Sequence, residues 1–178
     1  MCNQIALTCF LMHYFQRALI FPFLIRGGKP TPFVPFALAF VFCVVNGYLQ
    51  GGYILYQSSS DLKCYQSPHF VIGLLMFFFG MLINLHSDHV LRNLRKPGET
   101  GYVIPRGGLF DYVSGANFFG EILEWWGFYV MSPSLPSMAF AVFTTCNIGP
   151  RAVQHHKWYQ QKFEDYPENR KAVIPFVL

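Results

Sequence analysis

Five runs of apolar residues alternate with short polar connections along the chain. The first covers residues 2–25 and carries one charge, Arg17. The second lies in the uncharged stretch 31–60 and predicts a helix at about 33–56. The third runs over about 68–86 and continues as HSDHVLRNLR, which stays helical as it leaves the bilayer. The fourth is expected at about 109–131 and the fifth at about 135–151. Runs of roughly 20 apolar residues match the bilayer core. Breakers separate them: Arg26–Lys29 with Pro30 and Pro32, then Ser58–Ser60 with Asp61 and Lys63, then Lys96-Pro97-Gly98, then the uncharged SPSLPS. Residues 2–25 lack the charged start and small-residue cleavage site of a signal peptide, so they are read as a membrane helix. The pattern predicts an all-α fold, a polytopic membrane helix bundle with about five transmembrane helices, forming one membrane-embedded domain over 1–178.

Composition agrees. The 178 residues are 53% hydrophobic, 19% aromatic and 12% charged, against about 25% charged in soluble domains. The net charge of +4 is too modest to imply nucleic-acid binding. Its distribution says more. Arg26, Lys29, the loop from Arg92 to Arg106 and the tail fall on one side of a five-span chain. The positive-inside rule makes that side cytosolic. The five cysteines, Cys2, Cys9, Cys43, Cys64 and Cys146, are odd in number and contain no CxxC. Buried free thiols are expected, not a disulfide framework or a zinc site.

Polar residues inside apolar runs mark the candidate site, because a membrane helix carries them at a cost. Asn84 and Asp88 are four apart and share a helix face, which Arg92 extends. Asn117, Glu121 and Glu124 repeat the pattern on the fourth run. Two such faces joined by a basic loop (Arg92, Arg95, Lys96, Arg106) suggest a pocket for a large polar anion at the membrane surface. The plainer readings are interhelical hydrogen bonds for the faces and lipid contact for the loop. Tyr14 and Arg17 pair a phenol with a guanidinium, which suits polarisation of a carbonyl. Snorkelling is the plain alternative for Arg17. His155 and Tyr159, four apart after the fifth run, point towards one pocket or form an interfacial belt. In HSDH, His86, Asp88 and His89 do not share a face and have no third ligand, so no metal is expected. GxGxxG after a strand, GxxxxGK, GxSxG and HExxH are all missing, so any nucleotide binds without a Rossmann unit.

The stretch LINLHSDHVLRNLRKPGETGYVIPRGGLFDYVSGANFFGEILEW resembles the signature region of the steroid 5α-reductase family, the 3-oxo-5α-steroid 4-dehydrogenases. The ending HHKWYQQKFEDYPENRKAVIPFVL is similar to that family's carboxy terminus, and HYFQRALIFPFLIRGGKP is closer to its type 1 than to its type 2 member. The resemblance implies a seven-helix protein of the endoplasmic reticulum membrane that holds NADPH on the cytosolic side. It implies reduction of the C4–C5 double bond of 3-oxo-Δ4 steroids such as testosterone and progesterone. By position, Arg17, Asn84, Asp88, Arg95, Tyr102, Asn117, Glu121, Arg151, His155 and Tyr159 match cofactor-binding residues. Tyr14 matches the catalytic tyrosine that bonds the steroid 3-oxo group, and Trp125, Phe140 and Phe143 are expected to line the steroid cavity. Metal plays no part. Five spans are read here against the family's seven. Its first two helices, with the glutamate that partners the tyrosine, precede the matched region, so a catalytically inactive shortened isoform is one expectation. A related reductase of polyprenol or enoyl-CoA lipids is another.

Overall fold

The computed structural model describes residues 1–25, 30–56, 64–95 and 101–178. The expected breaks at Arg26–Lys29, Ser58–Lys63 and Lys96–Gly98 lie outside the described residues. Five helices carry the fold. They are α1 (Cys2–Leu24), α2 (Phe33–Tyr56), α3 (Pro68–Arg92), α4 (Ala116–Met131) and α5 (Leu135–Lys162). The fold is an all-α membrane bundle, and among the described residues α1, α2 and α3 are long and apolar enough to cross a bilayer.

Local chemistry sets the helix ends. Pro68 sits in the first turn of α3, where its missing N–H costs nothing. The α3 helix runs to Arg92, so HSDHVLR is helical as its pattern implies, but Asn93, Leu94 and Arg95, expected to continue it, lie beyond the helix end. The fourth run is shorter than expected. Gly108–Asp111 form a 3-10 turn, Gly107 and Gly108 have positive φ, and α4 begins only at Ala116. These glycines precede the run, and its first residues stay outside α4 because Tyr112, Ser114 and Gly115 bond to Lys171 and Ala172 of the tail. The fifth run is longer than expected. A reciprocal capping box between Ser134 and Ser137 starts α5, which passes through Pro150 to Lys162. In α1, residues Gln16–Ile20 widen into a π turn in which Phe21 N–H bonds to Gln16 O. Pro22 has no N–H for the carbonyl four residues back, and a wider turn accommodates that loss.

The bundle is organised around the α3–α4 pair. Gly73 and Gly80 on α3 meet Gly127 and Gly120 on α4, each pair seven residues apart. A Cβ at Gly73 would lie 2.2 Å from Met131 N, and one at Gly80 would lie 2.4 Å from Glu124 N. The two backbones therefore touch, as small residues allow in membrane helices. Trp125, Phe77 and Phe128 are buried beside this seam, with Phe10 of α1 and Phe140 of α5 against them.

The tail after α5 folds back under the start of α4. Ser114 N donates to Lys171 O, Gly115 N to Ala172 O and Lys171 N to Tyr112 O, each at 2.9 Å. The cysteines depart from the expected buried free thiols in two ways. Cys9 is free and buried, but Cys43 and Cys146 are free and exposed, and Cys2 is disulfide-bonded. Counting thiols and looking for CxxC finds metal motifs and misses a bond between residues brought together by folding.

Candidate functional site

The π turn of α1 holds Arg17 against α3 and α4. Its guanidinium donates to Asp88 Oδ2 and to Asn84 Oδ1, each at 2.6 Å, and lies 3.5 Å from Glu121 Oε2. Asn84 Nδ2 donates in turn to Asn117 O at 3.0 Å. Asn84 and Asp88 are buried and share a face, so a spacing of four in the sequence becomes a two-point grip on one cation. Charge-assisted bonds of this kind are strong and directional. Arg17 is thus tied to the bundle rather than extended to the interface. The aromatic ring of Phe21 covers it at 4.9 Å.

A cavity of about 760 Å³ opens beside this clamp. From α5 it takes Phe140, Phe143, Thr144, Asn147, Ile148 and Arg151, a single helical face. From α2 it takes Pro35, Leu38, Ala39, Phe42 and Cys43, again one face. His13, Tyr14 and Arg17 of α1 and Glu121 and Trp125 of α4 complete the wall. One end is aromatic: Trp125 and Phe140 lie 4.2 Å apart by centroid, and Phe42 stacks on Phe143 at 4.4 Å. The other end carries Arg17, Glu121 and Arg151. Among the described residues no carboxylate pairs with Arg151. Tyr14 stands between the two ends, and its hydroxyl accepts a bond from Asn46 Nδ2 at 3.2 Å.

A second cavity of about 470 Å³ lies further along α5, lined by Tyr102, Gln154, His155, Trp158 and Tyr159. The four-residue spacing of His155 and Tyr159 does bring both to one wall. Tyr159 stacks on Tyr166 of the tail with centroids 5.5 Å apart. Burial, together with the neighbouring Tyr166, raises its phenol pKa above the ordinary value. The Ser114 hydroxyl joins His156 Nδ1 at 2.6 Å and the Tyr166 hydroxyl at 2.5 Å. Burial and then Lys171 hold His156 below the usual histidine pKa.

Of the residues singled out from sequence, Tyr14, Arg17, Glu121, Trp125, Phe140, Phe143 and Arg151 line the larger cavity, and Tyr102, His155 and Tyr159 the smaller. Asn84, Asp88 and Asn117 lie behind Arg17. Arg95 is exposed at the end of α3. His86 lies beside Gly108, His89 bonds with Asn93, and Asp88 turns to Arg17, so HSDH is not one cluster.

Sequence reasoning missed several polar groups. His13 Nδ1 lies 2.8 Å from Glu124 Oε1, both buried, with Trp125 packed edge-on to His13. Glu124 is therefore a helix–helix contact, with Oε2 buried and unpartnered. Asn46 and Gln50 are buried on the cavity-facing side of α2. Two amides four apart in an uncharged apolar run were the available signal. Arg170 is buried over the Tyr166 ring, with Nε and Nη1 unpartnered. Nothing local in the tail marks it as different from its exposed neighbours.

These features define an all-α membrane protein whose helices enclose an apolar cavity ending in a fixed cluster of ionic groups. A family model described as 3-oxo-5-alpha-steroid 4-dehydrogenase matches residues 29–178. The chain is 58% identical over 176 residues to the 3-oxo-5-alpha-steroid 4-dehydrogenase 1 of Bos taurus, covering 99% of this chain and 68% of that protein. Identity to the type 1 protein of Homo sapiens is 54% with the same coverage. For the type 2 protein of Sus scrofa it is 50%, over 98% of this chain and 68% of that one. The chain belongs to the 3-oxo-5-alpha-steroid 4-dehydrogenase family of oxidoreductases.

Proposed function

We propose that this protein reduces the C4–C5 double bond of 3-oxo-Δ4 steroids, testosterone and progesterone among them, with NADPH as reductant. The observation that carries this reading is the larger cavity. A single phenol, Tyr14, stands between an aromatic pocket and an ionic end in a space of about 760 Å³. A flat, apolar molecule with one carbonyl suits such a site, because apolar walls supply affinity and one polar group supplies orientation. Trp125, Phe140 and Phe143 are the substrate-binding wall on this account.

The ionic end fits an anionic dinucleotide. Arg151 has no carboxylate partner among the described residues, and Arg17 is gripped by Asn84, Asp88 and Glu121. Arg17, Glu121 and Arg151 would hold the part of the cofactor nearest the cavity, with Asn84, Asp88 and Asn117 fixing Arg17. Tyr102, His155 and Tyr159 at the smaller cavity, and Arg95 beyond it, would hold the remainder. A surplus of arginine there favours NADPH over NADH, since an extra phosphate needs an extra cation. What the cofactor supplies when bound is a hydride.

The remaining chemistry belongs to the chain. As the enone is reduced, negative charge grows on the 3-oxo oxygen. Tyr14 donates a hydrogen bond to that oxygen and so stabilises the transition state more than the ground state. Trp125, Phe140 and Phe143 exclude water from the reacting carbons. The clamp on Arg17 keeps the ionic end from rearranging as charge moves. The basic loop and tail belong in the cytosol and the helices in the endoplasmic reticulum membrane, a reading that rests on the lysine and arginine asymmetry and on the family.

The test is conversion of testosterone to its 5α-dihydro product by membranes carrying this chain with NADPH. Product is expected, and Tyr14→Phe should lower the rate about 100-fold with folding intact. Reduction of a long-chain enoyl-CoA or a polyprenol, with testosterone untouched, would overturn the steroid assignment.

A further inference from the structure

The α2 helix buries two amides where its sequence is otherwise apolar, and both belong to a chain of hydrogen bonds that ends on Tyr14. Gln50 Nε2 donates to the backbone carbonyl of Pro136 at 2.8 Å and to Asn46 Oδ1 at 3.1 Å. Asn46 Nδ2 then donates to the Tyr14 hydroxyl oxygen at 3.2 Å. Gln50 is 2% exposed and Asn46 6%. Buried amides are retained only where their bonds are met.

This chain has one consistent orientation. A backbone carbonyl can only accept, so the amide nitrogen of Gln50 must face Pro136. The same nitrogen then faces Asn46, which must present its oxygen. The nitrogen of Asn46 is left towards Tyr14, whose oxygen must accept. Reversing Asn46 would set two NH₂ groups against each other, and reversing Gln50 as well would set two carbonyl oxygens against each other. An acceptor at the start of α5 therefore dictates the hydrogen-bonding role of a phenol on α1. With its oxygen occupied by Asn46, the Tyr14 hydroxyl keeps its hydrogen free, and among the described residues no acceptor takes it.

We propose that Asn46 and Gln50 are positioning residues that commit Tyr14 to act as a hydrogen-bond donor into the cavity. This rests on the reading of Tyr14 as the group that bonds the steroid 3-oxo oxygen. Without the relay the phenol is free to rotate and to bond elsewhere, so part of its donor strength is spent on reorientation. Accepting from Asn46 also polarises the phenol and strengthens the bond it donates.

The test measures binding of a 3-oxo-Δ4 steroid and of the same steroid lacking the 3-oxo group, using the full chain in lipid nanodiscs. The wild type should prefer the 3-oxo steroid by about tenfold, the worth of one good hydrogen bond. Tyr14→Phe should erase that preference. Asn46→Leu should reduce it to about threefold while leaving affinity for the 3-deoxo steroid unchanged, and should do nothing further in a Tyr14→Phe background. Equal weakening of both steroids by Asn46→Leu would show a merely structural amide and overturn the proposal. A full preference retained in Asn46→Leu, with Tyr14→Phe effective, would overturn the relay and leave the role of Tyr14 standing. A full preference retained in Tyr14→Phe would overturn both. The second readout needs neither steroid nor cofactor. The phenol C–O stretching band of Tyr14, isolated as the infrared difference between wild type and Tyr14→Phe, should shift in Asn46→Leu and in Gln50→Glu. Gln50→Glu supplies at most one of the two hydrogens that Gln50 donates. A band unmoved in both variants would overturn the proposal.

Discussion

The two sides of this bundle are built on opposite plans. Between α3 and α4 the backbones touch through Gly73, Gly80, Gly120 and Gly127, and Asn84 and Asp88 beside them are buried and hydrogen-bonded. Between α2 and α5 the helices stand apart, held by long side chains such as Phe42 on Phe143, with the cavity between them. The first side has no room to adjust. The second can change shape by turning rings. A site that must hold ionic groups still and also admit an apolar molecule from the bilayer gains from having both. Arg17 sits where they meet, anchored on the rigid side and facing the open one.

The sharpest way to break this comparison is to fill the seam. A Cβ at Gly80 meets Glu124 N at 2.4 Å, so Gly80→Leu should cost more than about 4 kcal/mol and prevent folding. Detergent-solubilised yield and gel filtration would read this. A well-behaved Gly80→Leu protein would mean the seam is looser than described. The clamp should come next. Asp88→Ala removes one of the two 2.6 Å bonds that hold Arg17 and should lower stability by about 2 kcal/mol, the worth of one charged hydrogen bond, because Asn84 and Glu121 still hold the guanidinium. Thermal unfolding in detergent measures it, and Arg17→Met combined with Asp88→Leu should recover part of the loss. On the open side, Phe143 is 44% exposed. Phe143→Ala should cost less than about 1 kcal/mol in stability while weakening steroid binding severalfold. A large stability loss would place α5 in the rigid part of the molecule.

The smallest effect concerns pH and the tail. Burial and Lys171 depress the pKa of His156 in the folded state. The unfolded chain therefore binds the proton first as pH falls, so the stabilisation from the Ser114–His156 contact holds above about pH 6.5 and fades below it. Hydrogen-exchange protection factors of the backbone amides of Ser114 and Gly115, taken against the intrinsic exchange rate at each pH, should fall modestly from pH 7.5 to 5.5, the pH range set by that ordinary histidine value. His156→Gln should flatten the response.

Much of this is legible in the sequence. Spacing of four placed Asn84 and Asp88 on one face, and hydropathy placed α1, α2 and α3. What escaped depends on partners distant in sequence. His13 and Glu124 are 111 residues apart, and Asn46 and Tyr14 are 32 apart. No local periodicity joins them. Each is only an isolated polar residue in an apolar run until the helices pack. The glycines of α3 and α4 were visible as residues, but their meaning lies in what stands opposite. The start of α4 falls later than hydropathy predicts because Tyr112, Ser114 and Gly115 bond to Lys171 and Ala172 of the tail, partners distant in sequence.

The cavity between α1, α2 and α5 is the proposed steroid site. Enones are photoreactive, so irradiating the protein with a 3-oxo-Δ4 steroid and mapping the adducts by mass spectrometry reads that site directly. Adducts should fall on cavity residues of α2 and α5, with Phe42, Cys43 and Phe143 foremost, and an excess of the matching 3-deoxo steroid should suppress them. Adducts confined to residues outside the cavity, such as Val44, Val45, Leu75 and Leu82, and indifferent to competitor, would contradict it.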